Sequence, residues 1–252
     1  MGVLASLSVR KCTCQRDHAI FPGANVQSCA MERMLEATAR AEDTHYWFRG
    51  LRRHAQQMLR AAVQGQRLGQ IVDCGAGTGR NLDWLGQFGR AVGVELTPVG
   101  LAAGRARGRR MVRGSVTALP FADATADLAT SFDVLYCLDD ASEATALSEM
   151  RRILKCGGLI LVNVAALDIL HGSHSTLTHE VRRYTRVRLR ERLERAGFAV
   201  ERLTFTNMSL FPTALAVRAL QRLTGRASEA SEADLAVPAA PVNPLLDAIL
   251  TA

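Results

Sequence analysis

Two acids set around three glycines are the residues of this sequence whose types and spacing can do chemistry. Asp73 ends the apolar run Ile71 and Val72, and Gly75, Gly77 and Gly79 follow at once in the stretch DCGAGTG. Alternating glycines admit positive φ and let a ligand lie against bare peptide groups, while the free N–H groups of a following helix face the same space. A second apolar run, Ala91 to Val94, ends on Glu95, about 20 residues further on, the interval at which a nucleotide-binding βαβ unit grips a ribose diol. The dinucleotide pattern G-x-G-x-x-G is broken, because its sixth position is Arg80 and the third glycine stands one residue early. Asp73 would also repel a pyrophosphate, since two like charges at about 4 Å cost roughly 1 kcal/mol even in water. A cation is welcome where a phosphate is not.

S-adenosylmethionine has no phosphate, carries an ammonium and a sulfonium, and offers a ribose diol to Glu95. The stretch IVDCGAGTG resembles the first motif of the class I S-adenosylmethionine-dependent methyltransferases of the small-molecule, methyltransferase-11-like type. The resemblance implies an α/β fold, a Rossmann-like doubly wound and mostly parallel sheet. It also implies S-adenosyl-L-methionine as methyl donor: Asp73 holds its amino-acid end, Gly75, Ala76, Gly77 and Gly79 pass beneath it, and Glu95 with Leu96 takes the ribose. Ser115 with Val116 would meet the adenine, and Phe132 would complete the pocket wall. The segment HYWF (His45 to Phe48) is similar to one that precedes the first motif in bacterial members, where helices close over the cofactor. Tyr46 and Phe48 then line the pocket or form the core of a helix pair.

Four residues depart from the family's pattern. Ser115 replaces an acid, and hydrogen bonds to charged groups contribute roughly 1.5–3 kcal/mol against about 1 for neutral ones, so weaker cofactor binding is expected. Tyr136 and Cys137 replace a Glu-His pair in FDVLYCLDD, and Cys156 replaces proline in the turn KCGG, at a cost well under about 1 kcal/mol. The polar segment HGSHSTLTHEVRRYTR (171–186) resembles the family's HxxRRYT segment and is the expected acceptor site. His179 is the candidate general base, Tyr184 a second catalytic candidate, and Arg182 or Arg183 would clamp an anionic acceptor. The alternative is a helix-capping turn with Thr185 as N-cap.

The surrounding elements must hold these groups in place. A helical cap is expected over 28–64, with stripes at Met31, Met34 and Leu35 and again at Leu51, Ala55, Met58 and Leu59, broken at the aromatic block. The methyltransferase-like domain spans 65–224, with helices at Asn81 to Phe88, Pro98 to Ala106, Glu143 to Leu154 and Arg186 to Ala196. Strands are expected at Met111 to Arg113, Asp127 to Phe132, Leu159 to Val164 and Phe198 to Thr206. No candidate for a seventh, antiparallel strand follows residue 206, so the sheet is expected to lack it, leaving an edge through which copies could self-associate. Residues 1–27 read as a poorly ordered extension, and 225–252 as a flexible linker and C-terminal helix.

Composition sets the outer bounds. The 252 residues carry a net charge of +7, almost wholly from arginine, since Lys11 and Lys155 are the only lysines, so charge argues weakly for acidic partners and no specific nucleic acid is expected. Scattered cysteines suit a cytoplasmic, reducing compartment, and Cys12, Cys14, His18 and Cys29 match no regular metal-ligand spacing, so no metal is expected. The apolar segment 208–223 is too short to span a bilayer; ordinary packing on the domain is its first reading, and peripheral membrane or partner contact the second. These features together predict a methyltransferase acting on an O, N or C nucleophile of a small-molecule, lipid or glycan acceptor. The alternatives are a cofactor-binding module with little or no catalytic activity, and a nicotinamide oxidoreductase.

Overall fold

Ile71, Val72 and Cys74 are all sealed from solvent, whichever way each points, because strand β2 (Gln70–Cys74) lies in the middle of a sheet covered on both faces. The computed structural model describes residues 2–8, 35–166, 180–206, 238 and 241–250. Its remaining strands are β1 (Gly2–Ser8), β3 (Arg90–Glu95), β4 (Met111–Arg113), β5 (Ala126–Phe132), β6 (Leu154–Ala165) and β7 (Ala199–Thr206). They form one seven-stranded sheet in the order β4-β3-β2-β5-β6-β1-β7. Pairing is parallel from β4 through β6, and β1 runs antiparallel to both β6 and β7.

Helix α1 (Tyr46–Val63), the short α2 (Leu82–Leu85) and α3 (Pro98–Ala106) cover one face, packing Leu51, Ala55, Leu59, Leu85 and Leu101 against Ile71, Leu128 and Leu161. On the other face α4 (Asp140–Ile153) and α5 (Arg186–Arg195) set Leu147, Met150, Ile153, Leu189 and Leu193 against Val72, Val94, Ala129 and Val162. The expected Rossmann-like α/β sheet is therefore present. Local signals place several helix ends: Thr97, with Pro98 at the first position, caps α3 by accepting from the Gly100 N–H, and Thr185 caps α5 by accepting from that of Arg188. Asp139 does the same for α4, which starts three residues before the expected Glu143.

One expectation is overturned. The antiparallel strand sought after residue 206 is at the other end of the chain: β1 fills the place between β6 and β7, with Ala5 opposite Val162 on one side and Leu203 on the other. Gly2–Ser8 is thus sheet rather than poorly ordered extension, and the unfilled edge argued to drive self-association does not exist there. The stretch VLASLS lacks the flanking hairpin turn by which a seventh strand is sought, because its partners lie more than 150 residues away in sequence. A C-terminal helix, α6 (Val242–Ile249), docks on α1 as expected of residues 245–250, through Asp247 to Arg53 (2.7 Å) and Arg49 (3.0 Å). The apolar segment 208–223, most of the linker after it, and Cys12, Cys14, His18 and Cys29 lie outside the described residues. No helix of the described residues is long and apolar enough to cross a membrane.

Candidate functional site

The carboxyl ends of β2, β3 and β5 converge on the glycine turn. Gly75, Gly77 and Gly79 all adopt positive φ, at 79°, 56° and 74°. A Cβ at Gly75 would stand 2.4 Å from Val134 Cγ2, so only glycine lets the turn lie against the end of β5. A Cβ at Gly79 would meet Met111, Arg109 and Leu82, so this glycine packs the end of the turn against its own domain. Ala76 is almost wholly buried, and its N–H and that of Gly75 both donate to the Val94 carbonyl at 2.9 Å, tying the turn to β3.

Asp73 sits beneath this turn with 1% of its surface exposed. Its Oδ1 accepts from Thr130 Oγ1 at 2.6 Å, whereas its Oδ2 is buried without a hydrogen-bond partner. Burial pushes this carboxyl up to about 7; Thr130 and the Asn81 side chain oppose that shift and the charge of Glu95 adds to it. A buried acceptor lacking a donor is costly, and a cationic ligand group is what would relieve it. Glu95 is engaged at both oxygens: Oε2 accepts from the Gly77 N–H and Oε1 from both the N–H and the hydroxyl of Thr97, each at 2.8 Å. The carboxylate is thereby pinned at the tip of β3 with acceptor capacity left over, so that it is oriented rather than fully used, while Leu96 beside it is 55% exposed and offers an apolar surface.

The rest of the expected cofactor wall is less direct. Ser115 keeps its hydroxyl in its own turn, 2.8 Å from that of Thr117 and accepting from the Thr117 N–H, and Val116 packs on the core. Phe132 is half-buried and meets Trp84 edge-on at 6.1 Å. Tyr46 opens α1, stacks on His45 at 4.6 Å, and donates its N–H to Asn243 Oδ1 of α6. His45 caps α1 by accepting from the Trp47 N–H, and burial holds its imidazole below the usual range.

Glu42 is a residue that no local pattern announces. Buried at 4% exposure, it accepts from Thr78 Oγ1 at 2.8 and 2.9 Å and pairs with Arg107 at 3.0 Å. Arg80 pairs with Asp43, and Leu35 lies 3.2 Å from where a Gly77 Cβ would stand. The segment 35–44 is therefore fastened directly onto the glycine turn. Contacts between groups 36 residues apart leave no periodic trace.

The arginine-rich segment turns out to be structural. Tyr184 is fully buried, and its hydroxyl donates to Glu143 Oε1 at 2.6 Å, while Arg182 pairs with the other oxygen of Glu143 and with Asp140. Burial, reinforced by that carboxylate, pushes the phenol well up. Arg183 pairs with Glu180 at 2.8 Å and donates to the Ala166 carbonyl. Tyr184 as a catalytic group and Arg182 or Arg183 as clamps for an acceptor anion are thus corrected: their polar atoms are committed inside the protein, where an unpaired charge would be costly. Thr185 is the N-cap of the alternative reading, and His179 lies outside the described residues. Tyr184→Phe is expected to lower stability by about 1–2 kcal/mol in a denaturant melt, and to leave ligand affinity at the Asp73 turn unchanged by calorimetry.

A polar pair stands further along β5 and β6. Asn163, 3% exposed, donates from Nδ2 to Asp133 Oδ1 at 2.7 Å, and the Asp133 N–H donates to the Asn163 carbonyl at 3.1 Å. Asn163 Oδ1 is buried without a partner. Asp133 adopts φ 61°, a left-handed conformation uncommon outside glycine, and burial pushes its carboxyl up to about 6.

The comparisons with known proteins agree with this geometry. A family model described as the methyltransferase domain matches residues 72–162. A malonyl-[acyl-carrier protein] O-methyltransferase of Erwinia billingiae is 30% identical over 155 residues, covering 58% of this chain and 59% of its own. A probable S-adenosylmethionine-dependent methyltransferase of Mycolicibacterium smegmatis is 32% identical over 166 residues, covering 63% and 62%. The chain thus spans about three-fifths of the length of these curated relatives. The structure of Burkholderia thailandensis 1,6-didemethyltoxoflavin-N1-methyltransferase, with its substrate and S-adenosylhomocysteine bound, shares the fold: TM-score 0.52, 20% identity, 70% of this chain and 81% of that one.

Proposed function

We propose that the described body is a class I S-adenosylmethionine-dependent methyltransferase domain and that the chain transfers a methyl group to an O, N or C nucleophile of a small-molecule, lipid or glycan-type acceptor. The observation that carries this reading is the buried, partnerless Oδ2 of Asp73 beneath a positive-φ glycine turn, with Glu95 at the ribose interval. A cationic nucleoside fits that donor set and a dinucleotide does not. When bound, S-adenosylmethionine supplies an electrophilic methyl on a sulfonium. The chain's own residues then bind and orient. Asp73 accepts from the ammonium, Glu95 from the ribose hydroxyls, and the Glu42–Thr78–Arg107 cluster keeps the 35–44 segment over the turn and water out. Holding the reactants in line and dry supplies much of the rate enhancement in such a displacement.

Calorimetry tests the reading: S-adenosylmethionine and S-adenosylhomocysteine are expected to bind, and no heat from either at about 1 mM, a binding free energy weaker than roughly 4 kcal/mol, would overturn it. The second reading, a binding module with little turnover, is motivated by Ser115 and by Tyr136 and Cys137 at the rim. Methyl label from S-adenosylmethionine appearing in a cell-extract metabolite decides against it.

A further inference from the structure

Three features outside the cofactor turn could bind something: the basic outer face of α5, the apolar stripe Val242, Leu245 and Ile249 of α6, and the Asp133–Asn163 pair. Of the three, only the pair includes a buried acceptor without a partner. We propose that Asp133 and Asn163 recognise the methyl acceptor, receiving the O–H or N–H of a hydroxyl or amine nucleophile and rejecting a carboxylate.

Placement comes first. In the parallel ladders Asp73 pairs with Thr130 and Thr130 with Leu161, while Phe132 pairs with Asn163 two residues further along. Residues two apart share a face, so Asn163 stands on the same face as Asp73, two strands over and one row nearer the carboxyl edge. Strand spacing and rise put their Cα atoms roughly 12 Å apart. Val134, the residue after Asp133, lies against Gly75, so the pair borders the glycine turn. Ligands of open parallel sheets bind outside these carboxyl ends.

Chemistry follows from the inventory of atoms. Nδ2 of Asn163 is used on Asp133, which leaves Asn163 Oδ1 as a buried acceptor without a partner beside the Asp133 carboxylate. Neither can donate while Asp133 is ionised. Around Asp133 the N-terminal ammonium and Glu180 act in opposite directions, the first lowering and the second raising its carboxyl, while Tyr136 and Cys137, both pushed up by burial, stay neutral, so the negative charge at the pair is that of Asp133 itself. The cation of Arg183 is paired with Glu180. A carboxylate acceptor would therefore meet acceptors and like charge, and an alcohol or amine would meet two partners for its hydrogen. The left-handed φ of Asp133 is a strained backbone of the kind retained at such sites.

The step balances on this arrangement. The lone pair of the acceptor oxygen or nitrogen forms the bond to the methyl carbon, the carbon–sulfur bond breaks with its electrons left on sulfur, and the acceptor's proton passes to the Asp133 carboxylate. A carboxyl poised near 6 can take that proton and return it to water at neutral pH.

The inference rests on the methyltransferase reading, and its test separates the two. The full chain, labelled with nitrogen-15 and saturated with S-adenosylhomocysteine, is titrated with benzyl alcohol, benzylamine and benzoate at equal concentration. The Asn163 side-chain amide resonances, identified by their loss in Asn163→Asp, are followed. The alcohol and the amine are expected to shift them and benzoate is not, and in Asp133→Asn the amine response is expected to fall at least fivefold. If benzoate shifts them as strongly, or if none of the three does, the inference is overturned. Should Asp133→Asn fail to fold, the wild-type ranking of the three probes still decides. A chain that binds no S-adenosylhomocysteine by calorimetry fails the methyltransferase reading itself, and the inference falls with it.

Discussion

At pH 8, Asp73→Asn is expected to raise the melting temperature of the ligand-free protein by several degrees while weakening S-adenosylmethionine at least tenfold. Both effects come from one carboxyl. Its folded value is about 7 against an ordinary 3.8, so the folded protein holds a proton that the unfolded chain has released between those values. A raised acid works against the fold as pH rises: its cost is absent below about 3.8, grows toward 7, and is complete above it. That interval corresponds to a cost on the order of 4 kcal/mol, an upper bound for a group that keeps a hydrogen bond from Thr130. Asparagine is neutral and can still accept from Thr130, so the cost disappears. It also loses the charge that an ammonium ligand needs, and tenfold weaker binding is only ~1.4 kcal/mol of that interaction. Thermal melts at pH 5 and 8 check the first effect, with a smaller gain expected at pH 5. Calorimetry checks the second, and at pH 6 wild-type binding should release protons into the buffer. A variant that is less stable at pH 8 and binds as well as wild type would remove Asp73 from its assigned role.

Ala5→Pro is expected to lower the melting temperature by about 6–12 °C, whereas Ala5→Val is expected to change it little. Ala5 is the middle of β1 and is paired on both sides, to Val162 and to Leu203. Proline removes a backbone donor from a strand with two neighbours, and in the interior of a regular element it costs on the order of 3 kcal/mol. For a domain of this size each kcal/mol moves the midpoint by roughly 2–4 °C. The damage spreads further than one hydrogen bond, because among the described residues β1 is the only strand beside β7. Circular dichroism melts of the two variants are sufficient, and equal midpoints for proline and valine would mean that Gly2–Ser8 is not in the sheet.

How much of this was legible in the sequence depends on the range of the interactions. The strand, turn and helix around Asp73 announce themselves through glycine spacing and apolar runs, and Thr97–Pro98 and Thr185 place helix starts to within a residue because capping is local chemistry. Glu95 was legible through its interval from Asp73. Three features were not. β1 carries only an ordinary apolar hexapeptide, and its role exists only once β6 and β7 are formed. Glu42 looks like any exposed helix acid until Thr78 and Arg107 close on it. Arg182 and Tyr184 carry the residue types of an anion site, yet the carboxylates that engage them, Glu143 and Asp140, belong to a helix some 40 residues earlier, while Arg183 pairs with its neighbour Glu180. Residue type suggests a chemistry; the partner decides whether it is free to act.

The place of β1 in the sheet also bears on how the molecule is made. Gly2 pairs with Ala165 and Thr206, so the strand synthesised first must wait for partners synthesised more than 150 and about 200 residues later. At roughly 5–20 residues per second, β7 follows it by about 10–40 s, during which the parallel strands can assemble with β6 lacking its outer neighbour. Pairings so distant along the chain are slow to close. The emergence of β7, rather than that of the glycine turn, then sets the moment at which the sheet can close around β1.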